Sequence, residues 1–421
     1  MSSKSLAQWL AYLETLHPKA IALGLDRVRD VYARLGVRPT CPVVTVGGTN
    51  GKGSTATFVE RMLAADHYRA GLYTSPHLLA YNERVRVAGA VASDAELCDA
   101  FTAVESVRHD MPLTYFEFGT LAALWLFARA RLDVWVLEVG LGGRLDAVNI
   151  VDPDVAVVTT VDLDHTDYLG PTREDVGREK AGIFRAGRLA ICADPDPPAS
   201  LVNRAKEIGT TLLTIGADFG YEAQGSQWKY FGPGGPRFGL PFPSLRGSYQ
   251  LANVAAALTA LDALKDRVPV TMNAVRQALV GIELPGRFQV LPGRPVTVLD
   301  VAHNSQAARA FADNLGAMGF HPRTLAVFGI MADKDIDAVI GALAQRVDVW
   351  LVATLPAPRG ATATMLQERL MRAGIRAETI QAFPTPAQAY GVARGIANEA
   401  DRIVVFGSFL TVAAALARHA A

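Results

Sequence analysis

The first periodic signal in the chain is helical. Leu6, Trp9, Leu10, Leu13 and Leu16 recur at turn spacing and stop at His17-Pro18, which predicts an amphipathic helix over 5–16. The pattern then changes to short apolar runs that end in glycine or in charge. Such runs predict buried strands at 43–46, 70–73, 134–137 and 155–159, with helices at 55–65 and 116–131 between them. The stretch 221–246 mixes glycine, proline and aromatic residues and fits a hairpin and loop, and the SYQLAN run that begins at Ser248 opens an alanine-rich helix. At Leu284 the text becomes LPGRFQVLPGRP, dense in proline and glycine, and the pattern restarts. Strands are expected at 296–301, 325–330, 349–353 and 403–406, alternating with helices near 306–318, 336–344, 364–373 and 386–397.

Alternation of this kind predicts two α/β domains. The first, 1–284, carries a mainly parallel sheet, residues 285–295 form a linker, and a smaller α/β domain fills 296–421. A length of 421 residues agrees, because single cores usually stop growing below that size. Ligands of open parallel sheets bind at the carboxyl ends of the strands, so polar clusters there predict a cleft between the domains as the active site.

Composition narrows the class of partner. Lys+Arg and Asp+Glu are equal at 41 each, which gives no broad field for nucleic acid or a membrane surface. Cys41, Cys98 and Cys192 are scattered without metal or disulfide spacing, as expected of a reduced, cytoplasmic protein. Glu14, His17 and Lys19 interrupt the N-terminal pattern, which argues against a signal peptide, and no window suits a membrane span.

The chemistry concentrates at strand ends. VVTVGGTNGKGS, beginning at Val43, is a β-branched run that breaks into Gly47, Gly48, Gly51 and Gly53 around Lys52, followed by Ser54 and Thr55. Glycines let amides converge on one point, and the following helix aims its positive end there, so this is a phosphate cradle with Lys52 along the phosphates. The strict P-loop pattern is not met, since Val46 and Gly53 stand where glycine and a hydroxyl residue belong. Ser75, in a TSPH turn after the second strand, either offers its hydroxyl to a metal or phosphate or caps the turn. Glu138 ends an apolar strand downstream of the phosphate loop, the arrangement that holds magnesium in nucleotide hydrolases. Asp162, Asp164, His165 and Asp167 crowd one loop, which suits a second divalent cation or a developing anion. Lys180 is either a solvated helix charge or drawn into that cluster. Gln250 and Asn253 share a helix face, where they read a base edge or are ordinary polar residues. The segment 21–28, IALGLDRV, is a helix connector or a substrate wall. In the second domain Asp300, His303 and Lys334 follow strands, and with Arg287 they would face the phosphate loop.

Taken together, GTNGKGS from Gly48, TSPHL from Thr74, TYFEFGTLAALWLF from Thr114, LEVGLGGRLDAVN from Leu137, LDHTDYLG from Leu163, GREKAGIF from Gly177, LPGRFQ from Leu284, DVAHN from Asp300 and PRGAT from Pro358 resemble the folylpolyglutamate synthase family. The similarity is to its bifunctional bacterial form, which is also dihydrofolate synthase, within the Mur ligase superfamily. It implies a P-loop ATPase-like first domain and a Rossmann-like second one. It also implies ATP as co-substrate and two magnesium ions. Gly48, Thr49, Asn50, Gly51, Lys52, Gly53 and Ser54, with Asn253, Arg287, Asp300 and His303, would hold the nucleotide. Ser75 and Glu138 would ligate one cation and His165 the other, while Lys180 matches a family lysine that becomes a carbamate and so a metal ligand. Lys52, His165, Lys180 and Lys334 would be the catalytic set. Thr114, Phe116, Asp146 and Ala147, with the loop at 23–27, would form the pteroate pocket. The implied reaction phosphorylates a carboxylate of dihydropteroate or of a folyl glutamate, and the amine of L-glutamate then displaces phosphate. The expected partners are these small molecules, with the enzyme a monomer that binds neither nucleic acid nor membrane. Two other functions fit parts of the pattern: a UDP-muramoyl-type amino-acid ligase of the same superfamily, and a nucleotide-binding switch without ligase activity.

Overall fold

The computed structural model describes residues 4–247 and 249–420. Ser248, the first residue of the SYQLAN stretch, lies outside the described residues, as do residues 1–3 and 421. The chain divides into two compact units, one formed by Met1–Ser244 with Leu251–Ile282 and the other by Leu245–Gln250 with Glu283–Ala421.

The first unit is built on an eight-stranded sheet of β1 (Val43–Gly47), β2 (Ala70–Tyr73), β3 (Val85–Val87), β4 (Ala90–Val91), β5 (Val134–Glu138), β6 (Val155–Val158), β7 (Leu189–Cys192) and β8 (Thr211–Thr214). Their order is β4-β3-β2-β5-β1-β6-β7-β8, and from β2 to β8 every neighbouring pair is parallel. The central strand β1 is buried at all five positions, as its unbroken apolar run requires. Helices cover the sheet. Trp9, Phe101 and Phe118 meet at centroid separations of 5.8–6.4 Å in a cluster that takes in Trp135 and Leu137 of β5, while Val176, Ile183 and Leu201 pack with Ala156 and Val158 of β6 and Ala190 and Cys192 of β7.

The stretch expected to hold a hairpin is a three-stranded antiparallel sheet of β9 (Gly220–Gln224), β10 (Gln227–Phe231) and β11 (Arg237–Pro241). Trp228 and Tyr230 alternate inward along β10, and Asp262 accepts the Tyr230 hydroxyl at 2.9 Å.

The second unit has a six-stranded sheet of β12 (Gln289–Leu291), β13 (Val296–Leu299), β14 (Thr324–Phe328), β15 (Val349–Ala353), β16 (Ile380–Phe383) and β17 (Arg402–Phe406), in the order β12-β13-β17-β14-β15-β16. All pairs are parallel except β12 with β13. Here the structure differs from the expected linker over 285–295, because Gln289, Val290 and Leu291 pair antiparallel with Leu299, Val298 and Thr297. A returning edge strand needs only the short Pro-Gly bend at 292–295, so the glycine and proline that suggest a linker make a turn. Phe328 stacks on Phe406 at 4.9 Å in the middle of this core.

Candidate active site

The phosphate-loop residues sit at the carboxyl end of β1, and the chain needs its glycines there. Gly48 adopts φ +143°, and a Cβ would fall 1.9 Å from Thr159 Oγ1. Gly51 adopts φ +88°, and a Cβ would fall 2.4 Å from the Asn253 amide oxygen. The loop is sewn to the segment after β6: Thr49 N donates to Thr160 O at 2.7 Å, and the Thr49 hydroxyl donates to Asp162 O at 3.0 Å. The helix Lys52–Ala65 begins at the lysine itself, with left-handed Gly51 as its cap, and not at Thr55 as expected. Its first amides therefore point out of the loop. Lys52 Nζ turns back to the carbonyls of Gly48 (3.0 Å) and Thr49 (3.1 Å), so its charge stays over the cradle.

Glu138 ends β5, one strand away. Its side chain is 3% exposed, and its Oε2 accepts from Ser75 N at 3.1 Å. This bond brings the TSPH turn against the strand end. Gly53 packs close by, since a Cβ there would lie 3.4 Å from Glu138 Oε2. Among the described residues no three His, Cys, Asp or Glu side chains gather into a ligand set of their own. A carboxylate and a hydroxyl at a phosphate loop fit a hard cation that completes its shell with phosphate oxygens and water. The residues present thus suit magnesium.

Lys180 lies in the helix Arg173–Ala181, and only 2% of it is exposed. The structure chooses between its two fates, for it is no solvated charge. Burial, and then repulsion from Lys52, bring its amine down to about 7, against the pull of Asp164 and Glu179. His165 takes a left-handed backbone, φ +51°, at the start of a short helical turn, and its Nε2 lies 3.9 Å from Asp164 Oδ1. Asn253, 4% exposed, puts its amide against Gly51. The first unit therefore gathers Lys52, Ser75, Glu138, Asp164, Lys180 and Asn253 around one sheet edge.

The expected pteroate residues lie beside it. Thr114 caps the helix Tyr115–Arg129 in a reciprocal pair with Glu117, and Arg27 Nη2 reaches Glu117 Oε1 at 2.9 Å, which ties the 23–27 loop to this helix. Phe116 leans on Tyr73 at 5.9 Å and covers Gly140, where a Cβ would meet its ring at 2.6 Å. Asp146 is buried beside Ala147, and its two oxygens accept from Leu141 N and Val148 N, each at 2.9 Å. Burial raises its carboxyl to about 6, although these amides and Lys52 oppose the shift.

The residues expected from the second unit gather at its own strand ends. Asp300 follows β13 and accepts from Phe288 N (2.9 Å) and Ala302 N (2.8 Å), while burial lifts its carboxyl to about 6 against the nearby Arg287 guanidinium. Arg287 lies over the Phe409 ring at 5.1 Å. His303 Nδ1 donates to Val301 O at 2.8 Å. Lys334 follows β14, and its amide donates to Met331 O at 3.2 Å. Gln250 belongs to the second unit and Asn253 to the first.

One cluster escaped the sequence patterns. His77, Tyr81, Arg84 and Tyr115 meet beside the Ser75 turn, and apart from His77 at the end of the TSPH turn the only trace in the text is Tyr81 directly before the Asn-Glu-Arg run.

Comparison with known proteins agrees with this geometry. Residues 46–261 match the Mur ligase middle domain, and residues 286–409 match the Mur ligase glutamate ligase domain. The dihydrofolate synthase/folylpolyglutamate synthase of Escherichia coli K12 is 46% identical over 98% of this chain and 95% of its own. A solved structure of E. coli FolC in complex with DHPP and ADP superposes with a TM-score of 0.93, at 45% identity, over 99% of this chain and 97% of that one. A bifunctional folylpolyglutamate synthase/dihydrofolate synthase with Mn, AMPPNP and L-glutamate bound gives 0.91 at 44% identity over 100% and 99%. Phosphate loop, buried strand-end glutamate and two α/β units, matched along nearly the whole length, place this chain in the dihydrofolate synthase/folylpolyglutamate synthase family of Mur ligases.

Proposed function

We propose that this ATP-dependent ligase uses the carboxyl edge of its first sheet to activate a pterin-linked carboxylate, and that the same site serves both dihydropteroate and folyl glutamates. The observation that carries the reading is the convergence of Lys52, Glu138 and Lys180, three charges of which two are almost wholly buried, beside a glycine loop. Burying charge is costly, and a site that must neutralise a transferring phosphoryl group repays that cost.

The loop amides of Gly48–Gly53 and the Lys52 amine would hold the ATP phosphates. Ser75 with Glu138, and His165 with Lys180 as its carbamate, would hold two magnesium ions, which when bound screen the negative charge of the phosphates. An amine near pKa 7 is partly neutral at physiological pH, and only the neutral form adds carbon dioxide, so the burial of Lys180 supports the carbamate assignment. Thr114, Phe116, Asp146 and Ala147 would wall the pterin side, with the Asp146 carboxylate shaping the loop through its backbone bonds. Asn253, Arg287, Asp300 and His303 are assigned to the nucleotide, and Lys334 to the catalytic set. The phosphorylated carboxylate becomes an acyl phosphate, the amine of L-glutamate attacks its carbonyl carbon, and phosphate leaves with the bond it held. A single chain in the cytoplasm would suffice for this chemistry.

Phosphate release from ATP and magnesium with L-glutamate tests the reading directly. Release is expected with dihydropteroate and with a tetrahydrofolate, and only when glutamate is present. Response to the tetrahydrofolate alone would remove the dihydropteroate half of the proposal; release indifferent to pterin and amino acid would overturn all of it.

A further inference from the structure

The cluster beside the Ser75 turn holds an arginine in an unusual way. Arg84 Nε donates to His77 Nδ1 at 2.9 Å, and its guanidinium lies beside two rings that meet edge to face, 5.3 Å from Tyr81 and 5.5 Å from Tyr115. The side chain is half-buried. Its two terminal nitrogens donate to no group among the described residues, and no carboxylate among them pairs with it. Glu83, next in the chain, is spent elsewhere, because its oxygens take the amides of Leu78 (2.7 Å), Leu79 (2.8 Å) and Ala80 (2.8 Å). A planar guanidinium anchored at Nε and packed beside two rings presents its terminal nitrogens as a ready-made fork for a carboxylate.

Its position says which carboxylate. Arg84 O accepts from Thr74 N at 2.9 Å, so the arginine runs alongside the turn that carries Ser75 to Glu138. Tyr115, one of these two rings, adjoins Thr114 and Phe116. The fork thus lies on the acceptor side, between the proposed pterin wall and the proposed metal. Dihydropteroate has one carboxylate, and that group must reach the phosphate. A folyl glutamate has a second, the α-carboxylate of its terminal residue. We propose that Arg84 binds this α-carboxylate and so is a specificity residue for folyl glutamates over dihydropteroate. The role rests on the ligase function proposed above.

The test is steady-state turnover of the full chain and of Arg84→Met and Arg84→Lys, with dihydropteroate and with monoglutamyl tetrahydrofolate, each titrated at saturating ATP, magnesium and L-glutamate. Losing a charge-assisted fork should raise KM for the folyl acceptor about 10- to 100-fold, at least ten times more than for dihydropteroate. Arg84→Lys keeps the charge without the fork and should recover part of the loss; its melting temperature guards against a folding defect in the Met variant. Equal losses with both acceptors, or a rise confined to KM for L-glutamate, would overturn the assignment. Should the unmodified chain turn over neither acceptor, the ligase reading fails first and this role with it.

Discussion

The two sheets carry similar numbers of polar motifs at their carboxyl ends, yet they use them differently. In the second unit the polar residues have local structural partners. Asp300 holds the amides of Phe288 and Ala302, Asn304 and Asp335 cap the helices that follow them, and Arg359 pairs with Asp333 at 2.7 Å. In the first unit Lys52 and Glu138 also have backbone partners, but Lys180 is a buried amine whose charge is opposed first by burial and then by Lys52, against the pull of Asp164 and Glu179. An edge that buries an amine in this way gives up stability, which is what a site kept for an anionic ligand looks like. The difference teaches that motif density alone does not separate a binding edge from a well-capped one; the electrostatic balance does.

Replacing charges at the two edges should therefore have opposite signatures. The largest effect is expected for Lys52→Ala, with turnover lower by about 10²- to 10³-fold, because it removes a preorganised charge from the transferring phosphate. Steady-state kinetics with ATP as the varied substrate would check this, and a loss below tenfold would deny Lys52 that role. Glu138→Gln is next, with the magnesium midpoint moved upward by about 10- to 100-fold in a metal titration. An unchanged midpoint would separate Glu138 from the metal. In the second unit Asp300→Asn should show itself in denaturant melts as a loss of about 1–3 kcal/mol, since one of its two amides is left facing a donor. No loss of stability there would erase the contrast.

Much of this was legible in the sequence, for reasons that can be named. The continuous apolar runs of β1, β5, β14 and β15 have no other use in a chain of this kind, and a lysine framed by glycines directly after such a run marks the edge proposed to hold phosphate. The start of the helix at Lys52 was not legible, because Gly51 and Gly53 are poor helix formers and only the left-handed cap makes the first turn begin there. β12 hid in a Pro-Gly stretch because three residues carry no period. The passage of Leu245–Gln250 to the second unit is a property of packing, invisible to local pattern. Whether Lys180 was solvated or buried also depended on neighbours far away in the chain, and so did the Arg84 cluster, made from residues 77, 81, 84 and 115.

The central claim, that the first edge sacrifices stability for chemistry, is tested most directly by Lys180→Met, measured for turnover and for thermal stability across pH. An amine depressed from 10.5 to about 7 on folding withholds stability that is present above pH 10.5 and is lost as pH falls towards 7. In metal-free buffer without carbon dioxide, Lys180→Met should melt higher than the parent chain below pH 7 and converge with it above pH 10.5, while turnover drops by about a hundredfold or more. A variant that melts lower at every pH and keeps most of its turnover would make Lys180 an ordinary packing residue and contradict the account.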